Sequence, residues 1–169
     1  MSHVYVTSDW HFGHTGITEK FRTQFPSTEY MEDYVLGRCL ATVRKRDVLY
    51  CLGDMAFTRS SLEKIAELPC RKILVRGNHD NLSTADYLEV FDEVEGCFRY
   101  KKYWFTHIPI HPSELYRGMN VHGHCHRGGP AEHQNCEDWR SYYNAILEFN
   151  DYAPVNMQVV GTKLAERRN

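Results

Sequence analysis

Residues 4–14 read VYVTSDWHFGH, an apolar run that ends in an acid and two histidines. The alternating valines predict a short strand from His3 to Ser8. In α/β sheets, ligands bind beyond the carboxyl ends of the strands. A charged strand end is ordinary, but Asp9 and His11 also suit a metal ion, so the rest of the chain has to decide between the two interpretations.

The same pattern recurs at later strand ends. Strands are predicted over Asp47–Leu52, Arg71–Arg76, Glu93–Tyr100, Lys102–Thr106, Gly118–Val121 and Tyr142–Phe149. The polar residues at strand ends are Asp9 and His11, then Asp54, then Asn78, His79 and Asp80, then His107, and finally His124 and His126. Side by side in one sheet, these ends would supply carboxylate, amide and imidazole donors to a single pocket.

Such a donor set predicts a pair of metal ions. Oxygen and imidazole donors without thiolate favour Mn²⁺, Fe or Zn²⁺ over a structural zinc site rich in cysteine. Two ions about 3.5–4 Å apart are the usual apparatus for displacement at phosphorus. The sequence therefore predicts phosphate-ester chemistry that depends on metal.

Each strand end taken alone has a simpler interpretation. Gly53-Asp54 is typical of a turn, and the GNHD run that starts at Gly77 can also be one. His107 can be a strand-end histidine that bonds a backbone carbonyl. The joint occurrence favours the metal interpretation, because independent strand ends would rarely all finish in metal ligands.

The remaining elements frame these strands. Helices are predicted over Thr28–Val43 and from a capping box at Ser60–Glu63 to a stop at Pro69, and a long polar loop over Arg127–Arg140. We find no repeat or linker, and expect one domain over residues 1–169, a length that buries about two-thirds of the unfolded surface.

The composition argues against several classes of protein, such as nucleic-acid-binding, membrane and secreted proteins. Hydrophobic residues make up 42% of the chain and the net charge is −2, which describes a globular protein that no bulk charge draws to nucleic acid or membrane. No signal peptide and no apolar run of the roughly 18 residues needed for a membrane span are present, so we expect a cytoplasmic location. The six cysteines lack CxxC pairs and are predicted to be buried thiols.

The blocks DWH at 9–11, GD at 53–54, GNHD at 77–80, His107 and GHCH at 123–126 resemble, in that order, the signature of the calcineurin-like metallophosphoesterases. The short ending resembles the small bacterial and phage-encoded members. The resemblance implies an α/β fold with a central β-sandwich flanked by helices, in four layers αββα. It places a dinuclear site on the loops at one edge of the sandwich.

The resemblance also implies a role for each residue. One ion would take Asp9, His11 and His126; the other would take Asn78, His107 and His124; and Asp54 would bridge them. His79 would be the acid that protonates or stabilises the leaving oxygen, steadied by Asp80. The nucleophile would be a metal-activated hydroxide.

Simple geometry supports parts of this assignment. Asp9 and His11 are two apart, so they would leave an extended segment on the same side. His124 and His126 share that spacing, but a bend at Gly123 could send them to different ions. Asn78 offers a neutral oxygen, which limits the negative charge that an approaching phosphate meets.

Other side chains stay open or receive simpler roles. His14 either contacts the phosphate or leaving group or caps the first loop, and we place it with Asn78 as a substrate contact. His122 is expected to be a buried, hydrogen-bonded histidine, although a place beside the ligands stays open. Simpler roles are also predicted for the remaining residues: His111 solvated, His133 solvated or in a lid over the site, Cys125 pointing away from the metals, and Trp10, Phe12, Phe57 and Trp104 packing.

The favoured function is a phosphodiesterase on a nucleotide or cyclic nucleotide, with a phosphomonoesterase as the alternative. The GNHD block differs from the GNHE of the protein Ser/Thr phosphatases, and no insertion forms a peptide groove. A non-catalytic scaffold, like the retromer subunit of this fold, is disfavoured because every ligand position is kept. We expect two divalent ions, with Mn²⁺ ahead of Fe, Zn²⁺ or Ni²⁺, and a small phosphorylated partner rather than nucleic acid or membrane; the sequence does not indicate the oligomeric state.

Overall fold

A computed structural model describes residues 1–126 and 139–168 of the chain. The strands are β1 (Val4–Thr7), β2 (Val48–Cys51), β3 (Arg71–Val75), β4 (Glu93–Glu95), β5 (Phe98–Tyr100), β6 (Tyr103–Phe105), β7 (Met119–His122), β8 (Tyr142–Asn144) and β9 (Val155–Asn156). The helices are α1 (Thr15–Lys20), α2 (Thr28–Thr42), α3 (Arg59–Ile65), α4 (Thr84–Leu88) and α5 (Met157–Arg168). Short 3₁₀ helices cover Pro112–Glu114, Trp139–Ser141 and Leu147–Phe149.

The first sheet has five strands in the order β4-β3-β2-β1-β9. Strands β1 to β4 are parallel neighbours, and β9 joins β1 antiparallel. Parallel strands end at the same edge of a sheet. The segments that carry Asp9, Asp54 and Asn78 therefore leave the sheet side by side.

The second sheet has four strands in the order β5-β6-β7-β8. Strand β5 runs antiparallel to β6, whereas β6, β7 and β8 are parallel. His107 and His124 follow β6 and β7, so they leave this sheet at one edge as well.

The core between the two sheets is apolar. Val6, Leu52 and Val75 of the first sheet pack in one cluster with Phe105 and Val121 of the second, and all five are fully buried. Burial of this kind is the main favourable term in folding, worth about 25 cal/mol per Å² of apolar surface. The two sheets therefore form a β-sandwich.

Helices flank the sandwich. Alternate residues of β2, Leu49 and Cys51, face away from the second sheet and pack in a separate cluster with Met31 of α2 and Leu62 of α3. Near the other end of the chain, α5 contributes Val160 to the core between the sheets. The predicted α/β fold, a central β-sandwich flanked by helices, is confirmed.

Three predicted element boundaries are wrong. The predicted strand Glu93–Tyr100 is two strands in different sheets, because the chain crosses between the sheets at Gly96 and Cys97. The predicted strand Tyr142–Phe149 stops at Asn144 and is followed by a 3₁₀ turn. Helix α3 is capped by Thr58, whose side chain accepts a hydrogen bond from the Ser61 backbone, and not by a capping box at Ser60.

Some elements were not predicted at all. Helices α1, α4 and α5 and strand β9 have no counterpart in the sequence prediction. The cysteines that the structure describes are buried as expected, except for Cys97, which is exposed where the chain crosses between the sheets. His133, Cys136 and most of the predicted polar loop lie outside the described residues. None of the helices in the described part of the chain is both long and apolar enough to cross a membrane.

Gly37→Ala is expected to raise the free energy of unfolding by about 0.5–1 kcal/mol, because glycine in a helix interior is less favourable than alanine by that amount. Gly37 is an exposed residue of α2, and a methyl group there would meet no atom within 4 Å outside its own helix. Urea unfolding of the metal-free protein measures the change.

Gly53→Ala is the matched substitution and is expected to destabilise the protein. Gly53 has a φ of +89°, and its added Cβ would lie 2.6 Å from the Gly77 nitrogen and from His107 Nδ1. A Gly53→Ala variant as stable as the wild type would contradict the close approach of these loops.

Candidate metal centre

The strand ends of both sheets bring three ligand atoms together in a first cluster of Asp9, His11 and His126. Nε2 of His11 lies 3.1 Å from Nε2 of His126. Oδ1 of Asp9 lies 3.6 Å from the His11 nitrogen and 3.4 Å from the His126 nitrogen. Donor atoms around one tetrahedral ion with bonds of 2.0–2.1 Å are about 3.3 Å apart, so the spacing fits a metal.

A second cluster consists of Asp54, His107 and His124, whose ligand atoms lie within 4.8 Å of one another. Oδ2 of Asp54 is 3.4 Å from Nε2 of His107. Asn78 joins this group, because its Oδ1 lies 2.9 Å from the same His107 nitrogen. The second cluster thus has the composition predicted for the second ion.

Asp54 lies between the two clusters. The oxygen that faces His107, Oδ2, is also 4.0 Å from Nε2 of His11 in the first cluster. Its other oxygen, Oδ1, accepts a hydrogen bond of 2.8 Å from the backbone N–H of His79, which fixes the rotation of the carboxylate. One oxygen therefore faces both clusters, as a bridging ligand would.

The ligands sit on strained backbone. Asp9, His11, Asp54 and His124 all have positive φ values, of 59°, 55°, 53° and 67°. A non-glycine residue in this left-handed region costs on the order of 1–3 kcal/mol and occurs mainly at functional sites. The expected extended segment from Asp9 to His11 is therefore wrong: two left-handed residues, not an extended strand, aim both side chains at one point.

Main-chain hydrogen bonds hold this conformation. The Asp9 N–H donates to the Gly53 carbonyl at 3.0 Å, and the His11 N–H donates to the Asp54 carbonyl at 2.9 Å. The loops after β1 and β2 therefore fix each other.

His124 and His126 belong to different clusters. A bend near Gly123 was expected to allow this separation. The left-handed residue is His124, and the preceding Gly123 is needed for space. A Cβ on Gly123 would lie 1.9 Å from Ser8 Oγ and 2.3 Å from Asp9 Oδ2. The two loops approach so closely here that a side chain would displace a ligand.

The hydrogen bonding of the Asp9 carboxylate indicates whether a cation fits the first cluster. Asp9 is fully buried, and its Oδ2 accepts hydrogen bonds from Ser8 Oγ and from the His124 backbone N–H. Its Oδ1, which faces the two imidazoles, has no hydrogen-bond partner among the described residues. A buried carboxylate oxygen without a donor is costly unless a cation neutralises it. The first cluster therefore fits a metal ion.

The pKa shifts of several ligands also indicate that the clusters favour positive charge. Burial lowers the pKa of His126, but the nearby carboxylates of Asp9 and Glu148 outweigh burial and raise that pKa to about 9. Burial also opposes protonation of His107, yet the bond to Asp54 and the Asp9 charge raise its pKa. Burial would raise the pKa of Asp9, but the nearby imidazoles of His11 and His126 lower it well below the usual range. Both clusters thus attract positive charge, and protons would compete with metal there.

The carboxylate of Asp80 bonds the main chain of two loops. Its Oδ2 accepts the backbone N–H groups of Asp54 and Gly77, each at 2.8 Å, and its Oδ1 accepts that of Met55 at 2.9 Å. Burial raises the pKa of Asp80 even though these three bonds oppose the shift. Asp80 therefore steadies the loop that carries Asp54, and its steadying of His79 stays a prediction.

His79 and His14 face a common aromatic ring. His79 is exposed and stacks on Phe57, with ring centroids 5.4 Å apart and planes 24° apart. His14 lies 4.7 Å from the same ring, and its side chain makes no capping bond to α1. Phe57, predicted as a packing residue, is half-buried beside the clusters, whereas Trp10 is fully buried as expected.

Two histidines and a cysteine outside the clusters have the simple roles that the sequence predicts. His122 is fully buried, its Nδ1 lies 2.8 Å from the Gly123 carbonyl, and burial lowers its pKa to about 4. It is therefore the buried, hydrogen-bonded histidine expected. His111 is exposed and caps a 3₁₀ turn, and Cys125 is buried and belongs to neither cluster.

Arg22 and Glu148 are site residues that the sequence did not reveal. Glu148 Oε1 lies 3.0 Å from Nδ1 of His126, and Arg22 pairs with both Glu148 oxygens. Arg22 is separated from Glu148 by 126 residues, and neither lies in a recognisable motif. The only local signal was a single acid in the predicted strand Tyr142–Phe149, which does not distinguish a buried partner from a solvated one.

A cavity opens over the clusters and gives access to them. Its described walls are formed by His11, His14, Ile17, Phe21, Asp54, Phe57, His79, His124 and His126. Ligands from both clusters, His79 and His14 thus face one space that a phosphate ester can enter.

Comparison with known proteins places this arrangement in a family. A family model for calcineurin-like phosphoesterases matches residues 2–156. An uncharacterised protein of Methanocaldococcus jannaschii, MJ1445, is 28% identical over 172 residues, which cover 99% of this chain and 93% of that protein. The Gene 66 protein of Mycobacterium phage D29 is 35% identical over 85 residues, covering 47% of this chain and 41% of its own length.

A solved structure agrees with the fold. The crystal structure of AQ665 from Aquifex aeolicus, a protein of unknown function, superposes with a TM-score of 0.74 at 28% identity, over 96% of this chain and 99% of that one. The family match spans both sheets and every residue of the two clusters. The chain therefore belongs to the calcineurin-like phosphoesterase family, whose members hydrolyse phosphate esters with a pair of metal ions.

Proposed function

We propose that this phosphoesterase acts on a phosphodiester, and specifically on a nucleotide or cyclic nucleotide. The observation that supports a diester is the charge of the cavity. Among its described lining residues there is no lysine or arginine. A monoester carries a charge of about −1.5 to −2 near neutral pH, whereas a diester carries a single charge. Because the cavity wall adds little positive charge beyond that of the metal ions, the singly charged diester is the better match.

The apolar part of the cavity supports an organic arm on the phosphate. Ile17, Phe21 and Phe57 line it next to the imidazoles. Aromatic side chains offer large contact areas and stack with other rings. A nucleoside would place its base or sugar against this side while its phosphate faces the clusters.

In this proposal, Asp9, His11 and His126 would hold one ion, and Asn78, His107 and His124 the other, with Asp54 shared between them. When bound, two divalent ions lower the pKa of water and stabilise negative charge on phosphoryl oxygens. Oxygen and imidazole donors suit Mn²⁺, with Fe, Zn²⁺ or Ni²⁺ as alternatives.

His79 is proposed to donate a proton, or a charged hydrogen bond, to the leaving oxygen. Its ring is outside both clusters, is exposed to the cavity and stacks on Phe57. A positioned acid of this kind contributes typically about 10²–10⁴ in rate. His14, whose ring also contacts Phe57, is proposed to contact the substrate.

Two alternatives have less support. A monoesterase would use the same clusters, but its substrate would bring an extra charge into a cavity whose described lining has no lysine or arginine. A non-catalytic scaffold would not need to keep converging donors on strained backbone, because that strain has no benefit for folding alone.

The proposal predicts at least a roughly tenfold preference for diester, equivalent to about 1.4 kcal/mol in the transition state. kcat/KM with Mn²⁺ is measured for bis-p-nitrophenyl phosphate and p-nitrophenyl phosphate, followed by cyclic and linear nucleotides. A preference for the monoester would overturn the diester proposal and leave the family assignment standing.

Asp54→Asn is expected to lose bound metal and nearly all activity. An amide is a weaker ligand and does not neutralise two cations as a shared carboxylate does. Metal content by elemental analysis and turnover are measured beside the same change at an exposed acid, Asp151→Asn. An Asp54→Asn protein with full metal content and full turnover would show that Asp54 is not shared.

His79→Ala is expected to keep its metal and lose about 10²–10⁴ in rate on an alkyl-type diester. The loss should shrink with p-nitrophenolate as leaving group, because that group needs no proton. His111→Ala, an exposed histidine outside the cavity, is the matched control. Equal losses for both leaving groups would make His79 an electrostatic contact, and loss of metal would make it a ligand.

A further inference from the structure

We infer that Arg22 and Glu148 are positioning residues that preorganise the first cluster, so that this cluster binds its ion more tightly than the second cluster does. The inference concerns metal binding alone, and it stands or falls independently of the ester that the protein hydrolyses.

Arg22 is fully buried, and apart from a contact of Nη1 with the Met31 sulfur its hydrogen bonds go to the first cluster and its supports. Nη2 donates to the Asp9 carbonyl at 2.6 Å and Nη1 to the Trp10 carbonyl at 2.9 Å. These carbonyls belong to the strained segment that carries Asp9 and His11. The planar guanidinium therefore holds the main chain that aims two ligands, and its fixed fork makes the geometry specific.

Glu148 links the same guanidinium to the third ligand. Its oxygens accept from Arg22 Nε at 2.9 Å and Nη2 at 3.0 Å, and Oε1 lies 3.0 Å from Nδ1 of His126. A carboxylate on Nδ1 keeps the proton on that nitrogen and directs the Nε2 lone pair outward. Nε2 is the nitrogen that faces Asp9 and His11.

Arg22 and Glu148 thus touch all three parts of the first cluster. Arg22 holds the backbone of Asp9 and the carbonyl just before His11, and Glu148 sets the ring of His126. In metalloproteins, such partners of the ligands typically contribute about 10–100-fold to metal affinity.

The second cluster is supported differently. Nδ1 of His107 bonds the Leu52 carbonyl at 2.7 Å, a neutral partner. His124 is exposed, and its ring makes no hydrogen bond to any described residue. Asn78 is exposed as well. Exposed side chains that few contacts hold in place lose more conformational freedom when they bind an ion, so the second cluster is expected to exchange metal more readily.

Glu148→Gln is the main test, because it keeps the size of the side chain and removes its charge at a site that is about one-fifth exposed. The probe is Mn²⁺ alone, in a chelator competition that reports the affinity of each ion. The variant is expected to lose about 10–100-fold in affinity for one ion and none for the other. Asp151→Asn, the same type of change in an exposed ion pair with Arg38, is the matched control and should bind as the wild type does.

Single-cluster backgrounds identify which ion is affected. In His107→Ala, which damages the second cluster, Glu148→Gln should still weaken Mn²⁺ binding about 10–100-fold. In His11→Ala, which damages the first, the same change should have no effect on the remaining ion. Equal weakening in both backgrounds, or in neither, would overturn the inference.

Arg22 is tested with two substitutions, since a buried arginine can be needed for folding. Arg22→Lys keeps the charge but not the fork and should weaken the first ion while the metal-free protein still unfolds cooperatively. The pair Arg22→Met/Glu148→Leu removes both charges together. If this pair restores wild-type affinity, charge balance and not positioning was the role, and the inference fails; if affinity stays low, positioning is supported.

Discussion

Two buried carboxylates, Asp9 and Asp54, face imidazole nitrogens at the shared edge of both sheets, and the rest of the site depends on this concentration of charge. Asp9 Oδ1 has no hydrogen-bond donor among the described residues. Removing such oxygens from water is favourable only when positive charge replaces the lost solvent. The fold therefore supplies a place for cations, and their charge is what makes phosphate chemistry feasible there.

The β-sandwich keeps this charge in place through rigid elements rather than long loops. Parallel strands in each sheet end at one edge, and the turns after β1 and β2 bond each other directly. Left-handed residues at four ligand positions turn the side chains inward within two to four residues of the end of a strand. Strain at these positions is offset by the apolar core between the sheets, which the ligands themselves do not form.

Much of the cluster composition could be predicted because the relevant signal is local: a strand followed at once by Asp, Asn or His. The backbone strain could not be predicted, because nothing in the sequence distinguishes an Asp9 or His11 with left-handed backbone from one with ordinary backbone. Arg22 and Glu148 meet because the segments after α1 and after β8 fold onto the same edge of the sandwich. This contact joins residues far apart in the sequence, so no local pattern predicts it. The GNHD motif predicts a role for Asp80, but its partners depend on how the loops after β2 and β3 pack together.

Each cluster draws ligands from both sheets. Asp9 and His11 follow a strand of the first sheet and His126 follows one of the second; Asp54 comes from the first, and His107 and His124 from the second. An ion bound in either cluster would thus act as a cross-link between the two halves of the sandwich at their common edge. Ligands that bind only the folded state stabilise it by mass action. The packing of the two sheets at this edge is therefore coupled to metal binding. A chain made when metal is scarce would be less stable at the edge where its substrate enters.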